Sequence, residues 1–514
     1  MRRDLRFNLA LGLALGACGA GSAQALPAPP PAPRLALRGQ QTVRPLLGRF
    51  NTVPVLHSNQ PEAVNGPGIL IDTRAGNVTA ETGVVLANPT FRFEGPFGLH
   101  FHHLYGPANP GPGPEGRRPE LSIAALVINP GAVPVRLRLL RGAVRNSFAA
   151  PYRGQQLLGV KPLGPRPWNT GPGDATAVQM LRGRLDANLP EEITIAPGSS
   201  RVLVRTDLPA LGMVNGLLRG ESDGPFHLAM VAAPAPASDE ALFAILASRQ
   251  LAPGRTYLNQ LAAIQQGLVF SRVSGVAVGD AYQASLSHDL MGQGPLHVPL
   301  TSTVRQTFQT GDVQVNRLAA RMPDSALDNV GTYGVRYDVD LLLRGAGTYA
   351  LVLSHPQEPG SPSPIAFRGS LEVKRPEGVE ALHVGLRSGE SLTLTTLQLS
   401  AGKPLPLQLS FVQPADAIPG HLLSIVPILQ LPPTAPGAEP RAPNPPGRGT
   451  PVRSASAAAP QPRRTASAPR GQIVAPPVLR PSPHQPLTLP TSLSDRYRQA
   501  LEAQERLMRS WQRP

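Results

Sequence analysis

The stretch LSIAALVINPGAVPVRLRLL, residues 121–140, carries the pattern that decides the predicted fold class. Residues 121–128 form an apolar run of strand length, and residues 133–139 alternate apolar residues with proline and arginine. Alternation with a period of two is typical of a strand that has one solvated face. Because the Asn-Pro-Gly sequence at 129–131 favours a turn, the stretch predicts two strands joined as a hairpin.

Three further stretches have a similar organisation, at residues 193–204, 337–353 and 397–409. In each, two strand-like runs flank a short turn that contains glycine. The 61 prolines and 51 glycines of this 514-residue chain also favour short strands and turns over long helices. The duplicated units predict an all-β protein with two tandem β-sandwich domains, at about 36–255 and 265–431.

A short helix is predicted to link these two domains. Ser238 can cap the amino terminus of a helix, and Asp239 and Glu240 follow where the helix dipole favours negative charge. We expect this helix to extend to about Ser248.

The amino terminus has the pattern of an export signal. Three arginines among the first six residues precede an apolar run at 7–17, which is too short to anchor in a bilayer. The Ala-Gln-Ala sequence at 23–25 suits a signal peptidase, so that residues 1–25 form the predicted signal peptide and residues 26–35 a linker. Leu-Gly-Ala before Cys18, the only cysteine, resembles a lipobox. Free secretion and lipid anchoring at Cys18 both stay open.

The carboxy-terminal part of the chain differs in composition. Residues 432–490 are rich in proline without apolar periodicity, which predicts a disordered linker. Residues 491–514 predict a short amphipathic helix with one apolar stripe. The stripe consists of Tyr497, Leu501, Gln504, Met508 and Trp511. This helix is predicted to dock on a partner or at a lipid interface; the alternatives are packing against the domains and a tail that is only a spacer.

The distribution of the net charge of +15 argues against nucleic acid as a partner. The signal region contributes +2, residues 432–490 contribute +6 and residues 491–514 contribute +2, so that +5 remains for residues 26–431. This globular region has no basic patch interleaved with aromatic residues. The basic tail is therefore predicted to meet anionic polymers or lipid head groups.

The densest histidine group is His100-Phe101-His102-His103. On a strand, His100 and His102 would point to one face and His103 to the other. Two imidazoles on one face can hold a transition metal such as zinc if His57 or Glu62 supplies a third ligand. The alternative, that these histidines pack or hydrogen-bond at a sandwich edge, is favoured because no close spacing fixes the third ligand.

A second candidate group consists of His57, Asn59 and Glu62, which lie in and after a predicted strand. An asparagine and a carboxylate on a loop made rigid by Pro61 are suited to bind sugar hydroxyls. The alternative, which is favoured, is an Asx-turn with a solvated glutamate. Because only one acid stands out here, the paired carboxylates of a glycosidase are missing.

Several short motifs occur in a specific order along the globular region. They are RPLLG at 44–48, VPVLHSNQPE at 53–62, GPGIL at 66–70, FGLHFHH at 97–103, RVSGVA at 272–277, GTYGVRY at 331–337 and FRG at 367–369. In this set the chain resembles an uncharacterised family of exported bacterial proteins, a domain of unknown function best represented in cyanobacteria. The resemblance covers about residues 40–430; the chain departs from it at His57, where the family has asparagine, and in its tail. It implies export and one shared fold, but no activity.

These observations predict an exported protein of the periplasm, cell envelope or medium with a structural or binding function. The sequence does not show a nucleophile, a base and an orienting group together, so no catalytic residue and no cofactor is predicted. Zinc at the histidine group is the alternative to this absence of a cofactor. The predicted partners are an envelope polysaccharide, an anionic polymer or an envelope protein, with peripheral or lipid-anchored membrane contact. The alternative is a metal-assisted or carbohydrate-active enzyme that uses His100, His102, Asn59 and Glu62.

Overall fold

The computed structural model describes residues 42–428 except 114–115, 117, 153–157, 165–169, 268–270, 357–364 and 416. Several predicted segments lie outside the described residues, namely the signal peptide 1–25 with Cys18, the linker 26–35, the tail 432–490 and the helix 491–514. Among the described residues, no helix has the length and apolar character needed to cross a bilayer.

The predicted all-β class is confirmed, because strands make up most of the described chain and its α-helices are short. In chain order the strands are β1 (Arg49–Phe50), β2 (Pro54–Ser58), β3 (Ala63–Val64), β4 (Gly68–Asp72), β5 (Asn77–Thr79), β6 (Val85–Ala87), β7 (Phe93–Tyr105), β8 (Glu120–Ile128), β9 (Val135–Asn146), β10 (Gly159–Pro162), β11 (Glu192–Ile195), β12 (Ser200–Pro209), β13 (Met213–Pro234), β14 (Ser274–Val278), β15 (Ala281–Asp289), β16 (Leu296–Leu300), β17 (Asn316–Arg321), β18 (Asp328–Asn329), β19 (Arg336–Arg344), β20 (Gly347–Ser354), β21 (Ile365–Arg375), β22 (Gly378–Arg387), β23 (Ser391–Leu399), β24 (Leu405–Val412) and β25 (His421–Pro427).

The helices are α1 (Pro172–Leu181), α2 (Asp239–Ser248) and α3 (Leu261–Gln265), the last preceded by a 3-10 turn at Leu258–Gln260. The predicted short helix after Ser238 is confirmed as α2. The Ser238 hydroxyl accepts a hydrogen bond of 3.2 Å from the backbone N–H of Ala241, which satisfies one of the unpaired donors of the first turn.

The first half of the chain folds into two sheets that share strand β13. Up to Ser222 this strand pairs with β7 and β9, and from His227 onward it pairs with β4 and β8. The register shifts between Ser222 and Phe226, where the strand passes from one sheet to the other. Buried apolar residues of both sheets, such as Phe101 and Met230, form one core between them.

The second half packs a seven-stranded sheet on a four-stranded sheet. The strand orders are β1-β15-β19-β24-β21-β22-β10 and β16-β25-β20-β23. The core between them contains Tyr337, which is fully buried and stacks on Phe411 with ring centroids 4.9 Å apart. Its hydroxyl donates to the carbonyl of Gln314 at 3.1 Å, so the polar end of this large side chain is satisfied inside the core.

The predicted hairpin in residues 121–140 is wrong, although both of its strands exist as β8 and β9. Strand β8 pairs with β12 and β13 and strand β9 with β11 and β13, so the connection passes between the two sheets. Pro130 and Pro134 lack the N–H groups that a ladder closing at this turn would use. The Asn129 amide donates instead to the carbonyls of Val133 at 2.7 Å and Ile195 at 3.1 Å. The units at 193–204, 337–353 and 397–409 cross between sheets in the same way.

The two halves share one strand arrangement. In the first half the order across the sheet is β11-β9-β13-β7, and in the second it is β23-β20-β25-β16. When the four strands of each sheet are ranked along the chain, both orders read third, second, fourth and first. Each half inserts elements between equivalent strands, β10 and α1 in the first and the β21–β22 hairpin in the second. These insertions meet, because β10 pairs with β22 and α1 packs on β21.

Strands also cross the predicted boundary between the domains, because β14 and β17 follow residue 265 in the chain but extend the sheet that contains β2. The domain limits 36–255 and 265–431 stay predictions.

Candidate functional site

The predicted histidine group lies on β7, between its neighbours β2 and β13. The side chains alternate as expected for a strand, because His102 contacts Asn215 on one face and His103 contacts Ser58 on the other. We call His57, His100, His102, His103 and Asn215 the histidine cluster. All five are buried, with side chains no more than 2% exposed.

His57 and His100 form a direct pair across the parallel strands β2 and β7. Their Nδ1 atoms lie 3.2 Å apart, so one imidazole donates and the other accepts. Burial lowers the pKa of His57 to about 3, and burial together with the neighbouring His57 and His102 lowers the pKa of His100 well below its ordinary value. Both rings are therefore neutral, and their buried Nε2 atoms have no hydrogen-bond partner in the described part of the chain.

His102 belongs to a chain of hydrogen bonds that leads to α1. Its Nδ1 lies 3.2 Å from the Asn215 side-chain oxygen, and the Asn215 amide donates to the Thr176 hydroxyl at 2.5 Å. A turn that contains Gly334 covers the same face. Gly334 has a φ of +77°, in the left-handed region that favours glycine, and a Cβ there would lie 2.8 Å from the end of the Leu217 side chain. Helix and turn together separate these imidazoles from solvent.

His103 on the opposite face is equally enclosed. Its two ring nitrogens lie 2.8 Å from the Pro61 carbonyl and 3.0 Å from the Ser58 hydroxyl. Burial lowers the pKa of His103 to about 3, although the hydrogen bond to Pro61 acts in the opposite direction. His103 therefore joins β7 to the loop after β2 as a neutral group.

The structure does not bring Asn59 and Glu62 together as an open site. Asn59 is buried, its backbone N–H donates to the Val273 carbonyl at 2.7 Å, and its side-chain oxygen has no partner among the described residues. Glu62 forms an ion pair with Arg272, so it is neither free nor simply solvated. The two residues therefore make separate contacts from the same loop.

The candidate zinc ligands form hydrogen bonds or ion pairs with each other or with other side chains. In the described ranges, no group of three or more His, Cys, Asp or Glu side chains is placed to hold a metal ion. His57 is paired with His100, His102 is bound to Asn215, and Glu62 is bound to Arg272. The zinc site therefore stays a prediction.

Two buried carboxylates were missed by sequence reasoning. Asp324 forms a bidentate ion pair with Arg255 at 2.6 and 2.8 Å, and their side chains are 0% and 1% exposed. Asp174 on α1 lies 3.3 Å from His383 and accepts a hydrogen bond from Ser370 at 3.3 Å. No local spacing signals either contact, because the partners come from distant parts of the chain.

An open recess of roughly 490 Å³ lies on the outer face of the seven-stranded sheet, and it too was missed. Four polar residues stand opposite one another across adjacent strands β15, β19, β24 and β21. They are Ser285, Asp340, Gln408 and Lys374, which we call the polar row. The Gln408 amide donates to Asp340 at 2.8 Å. Ser285, Asp340 and Lys374 are exposed, and Gln408 is half-buried.

Comparison with known proteins identifies the family of the chain but gives no evidence of an activity. Residues 41–427 match the family described as "Protein of unknown function (DUF3370)", which confirms the predicted membership of an uncharacterised family. The export of that family and its distribution in cyanobacteria stay predictions. No curated protein matches the chain. A xanthan lyase from Paenibacillus is 11% identical with a TM-score of 0.13, and the match covers 72% of this chain and 26% of the lyase. The chain thus spans about a quarter of the length of that protein.

An oxalate decarboxylase from Bacillus subtilis is 9% identical with a TM-score of 0.09. That match covers 74% of this chain and 77% of the decarboxylase. At these TM-scores, neither likeness carries an argument about fold or function.

Proposed function

The chain belongs to this family of unknown function, and we propose that it is an exported, non-catalytic binding or structural protein of the cell envelope. The charged start and short apolar run of residues 1–25 support export. Processing after Ala25 would release it, and processing at Cys18 would anchor it to lipid. The proposed location is the periplasm, the envelope or the medium.

The observation that carries this proposal is the different placement of two sets of polar residues. The histidine cluster is enclosed and largely engaged with protein partners, whereas the polar row is open to solvent on the outer face of a sheet. A hydroxyl, a carboxylate, an amide and an ammonium group can together donate and accept hydrogen bonds to a polymer rich in hydroxyl groups. This arrangement suits binding on an outer face.

The rival function is a metal-assisted or carbohydrate-active enzyme that uses His100, His102, Asn59 and Glu62. A general base must come within hydrogen-bond reach of its substrate, and α1 and the Gly334 turn would first have to move away from His100 and His102. Zinc bound by these histidines is the observation that would favour the rival.

The proposed partners are an envelope polysaccharide, an anionic polymer or an envelope protein, but not nucleic acid. The basic residues 432–514 support weak, salt-sensitive attraction to anionic surfaces, and the stripe of the predicted helix 491–514 supports docking at a partner or lipid interface.

Cell fractionation combined with metal analysis tests the proposal. The full-length protein, made with its own leader and no histidine tag, should be recovered outside the cytoplasm and should bind isolated envelope fragments. His102→Ala and Glu62→Gln variants should bind these fragments like the unaltered protein whenever they fold. Recovery in the cytoplasm, or no binding to envelope fragments, would refute the proposal. Stoichiometric zinc that is lost in His102→Ala would establish the rival.

A further inference from the structure

The polar row crosses four strands of one sheet in a single line. Cα register places Ser285 opposite Asp340, Asp340 opposite Gln408, and Gln408 opposite Lys374. Neighbouring strands lie about 4.8 Å apart, so the line spans roughly 14 Å. Its side chains point to the face opposite the core, because Val339, Leu341, Leu409 and Val373, which flank the row along the strands, are all buried in that core. A line of this length can contact several units of an extended polymer.

The same face is covered at one end and open at the other. Farther along β21, Ser370 is buried under α1, where it donates to Asp174. Farther along β19, Arg336 donates to the carbonyl of Leu181 at the end of α1 at 3.2 Å. Beyond α1, Ser285, Asp340 and Lys374 are exposed within the described part of the chain, and the recess begins at the polar row. Arg375 and Pro376, where β21 ends and turns toward β22, line its side.

The charged side chains of the recess differ in the hydrogen-bond and ion-pair partners that they have. Asp340 accepts a hydrogen bond from Gln408, and Arg375 forms an ion pair with Glu380 at 3.1 Å. Lys374 is exposed and has no hydrogen-bond or ion-pair partner within the described ranges. Because a neutral amide does not cancel the charge of Asp340, the recess presents an ammonium group and a carboxylate, two strands apart, that have no ion-pair partner within the described ranges. The ammonium group complements a carboxylate of a polymer, and the carboxylate, amide and hydroxyl groups complement its hydroxyls.

We propose that the polar row binds an acidic polysaccharide, with Lys374 pairing with a sugar carboxylate and with Asp340, Gln408 and Ser285 contacting sugar hydroxyls. This inference rests on the proposed function, since it names the ligand of an exported binding protein. The carboxylate of Asp340 accepts from hydroxyls, and the Gln408 amide both donates and accepts. Lys374 supplies the preference for an acidic over a neutral polymer.

Binding to three defined polymers tests the inference. Polygalacturonate carries hydroxyls and carboxylates, carboxyl-reduced polygalacturonate keeps only hydroxyls, and poly-glutamate keeps only carboxylates. The full-length protein should bind polygalacturonate at least tenfold more tightly than either control polymer in moderate salt. Lys374→Gln should weaken polygalacturonate binding about tenfold, the size expected for one hydrogen bond to a charged group. Asp340→Ala should weaken binding to both sugar polymers.

Lys403→Gln is the matched control, because Lys403 is an exposed lysine in the turn between β23 and β24 and outside the recess. It removes the same charge and should leave binding unchanged. Equal effects of the two lysine variants, equal binding of all three polymers, or no binding of polygalacturonate would each overturn the inference. Unaltered binding of Lys374→Gln to isolated envelope fragments would refute only the inference, whereas failure of the unaltered protein to bind them would refute the proposed function.

Discussion

The histidine cluster and the polar row contain similar chemistry in opposite surroundings. Both consist of side chains that donate and accept hydrogen bonds, and both lie across neighbouring strands of a sheet. One face of the cluster is enclosed under α1 and the Gly334 turn and the other by the loop after β2, and burial holds His57 and His103 neutral. The row is at the open end of a face that α1 covers elsewhere. Residue type alone therefore does not separate a structural polar group from a binding group; burial does.

This difference has an energetic consequence. A buried polar group that loses its partner costs the free energy of its lost hydration, whereas an exposed group regains water when a partner is removed. Substitutions at and near the histidine cluster should change stability, and substitutions in the polar row should change binding. Four measurements test this contrast, in order of decreasing expected effect.

The largest effect is expected at the Arg255–Asp324 ion pair, whose arginine lies near His103. Asp324→Asn leaves the Arg255 guanidinium buried without a counter-ion, so the free energy of unfolding should fall by about 3–5 kcal/mol. Glu192→Gln is the control, because Glu192 pairs with Arg136 at 3.7 Å where both side chains are more than half exposed. Its change should be below about 1 kcal/mol in urea unfolding. Equal losses would show that burial of the first pair is not decisive.

The second effect is a loss of stability in acid. The pKa of His57 falls from 6.5 to about 3 on folding, so the unfolded chain binds the proton first as pH falls below 6.5. The free energy of unfolding should decrease from about pH 6.5 toward pH 3, and at pH 5 this one group should account for about 2 kcal/mol. His57→Asn should lose less stability between pH 7.5 and pH 5 than the unaltered protein does. Gln408→Ala, which removes no titrating group, should follow the unaltered protein; identical pH profiles for all three would contradict a buried neutral His57.

The third effect concerns the amide that joins the cluster to α1. Asn215→Leu leaves the buried Nδ1 of His102 without its partner, so we expect a loss of about 1–3 kcal/mol. The matched control is Gln398→Ala, since the Gln398 amide accepts a hydrogen bond of 2.8 Å from Thr348 in exposed surroundings. Its effect should stay within about 0.5 kcal/mol. A loss for Asn215→Leu no larger than that of the control would show that the His102–Asn215 bond is not structural.

The parts of the structure that follow from local pattern could be predicted from the sequence. Alternation places His100 and His102 on one face of β7, and Ser238 caps α2 as its sequence context indicates. Strand partners could not be predicted, because an apolar run fits an in-sheet hairpin and a crossing between sheets equally well. The polar row could not be predicted either, since Ser285, Asp340, Gln408 and Lys374 come from four strands and meet only through their register.

The smallest effect on stability is expected at the polar row itself, and it bears most directly on function. Gln408→Ala removes a hydrogen bond of 2.8 Å to Asp340, but water can replace the amide because the Asp340 side chain is exposed. The free energy of unfolding should therefore change by no more than about 0.5 kcal/mol. Binding to isolated envelope fragments should nevertheless weaken measurably, because water cannot reproduce the fixed direction of the amide toward a ligand. A destabilisation as large as that of Asn215→Leu, with binding unchanged, would make the row a structural element like the cluster. Unchanged stability with weaker binding would mean that the polar row is a binding surface, whereas the histidine cluster is part of the core.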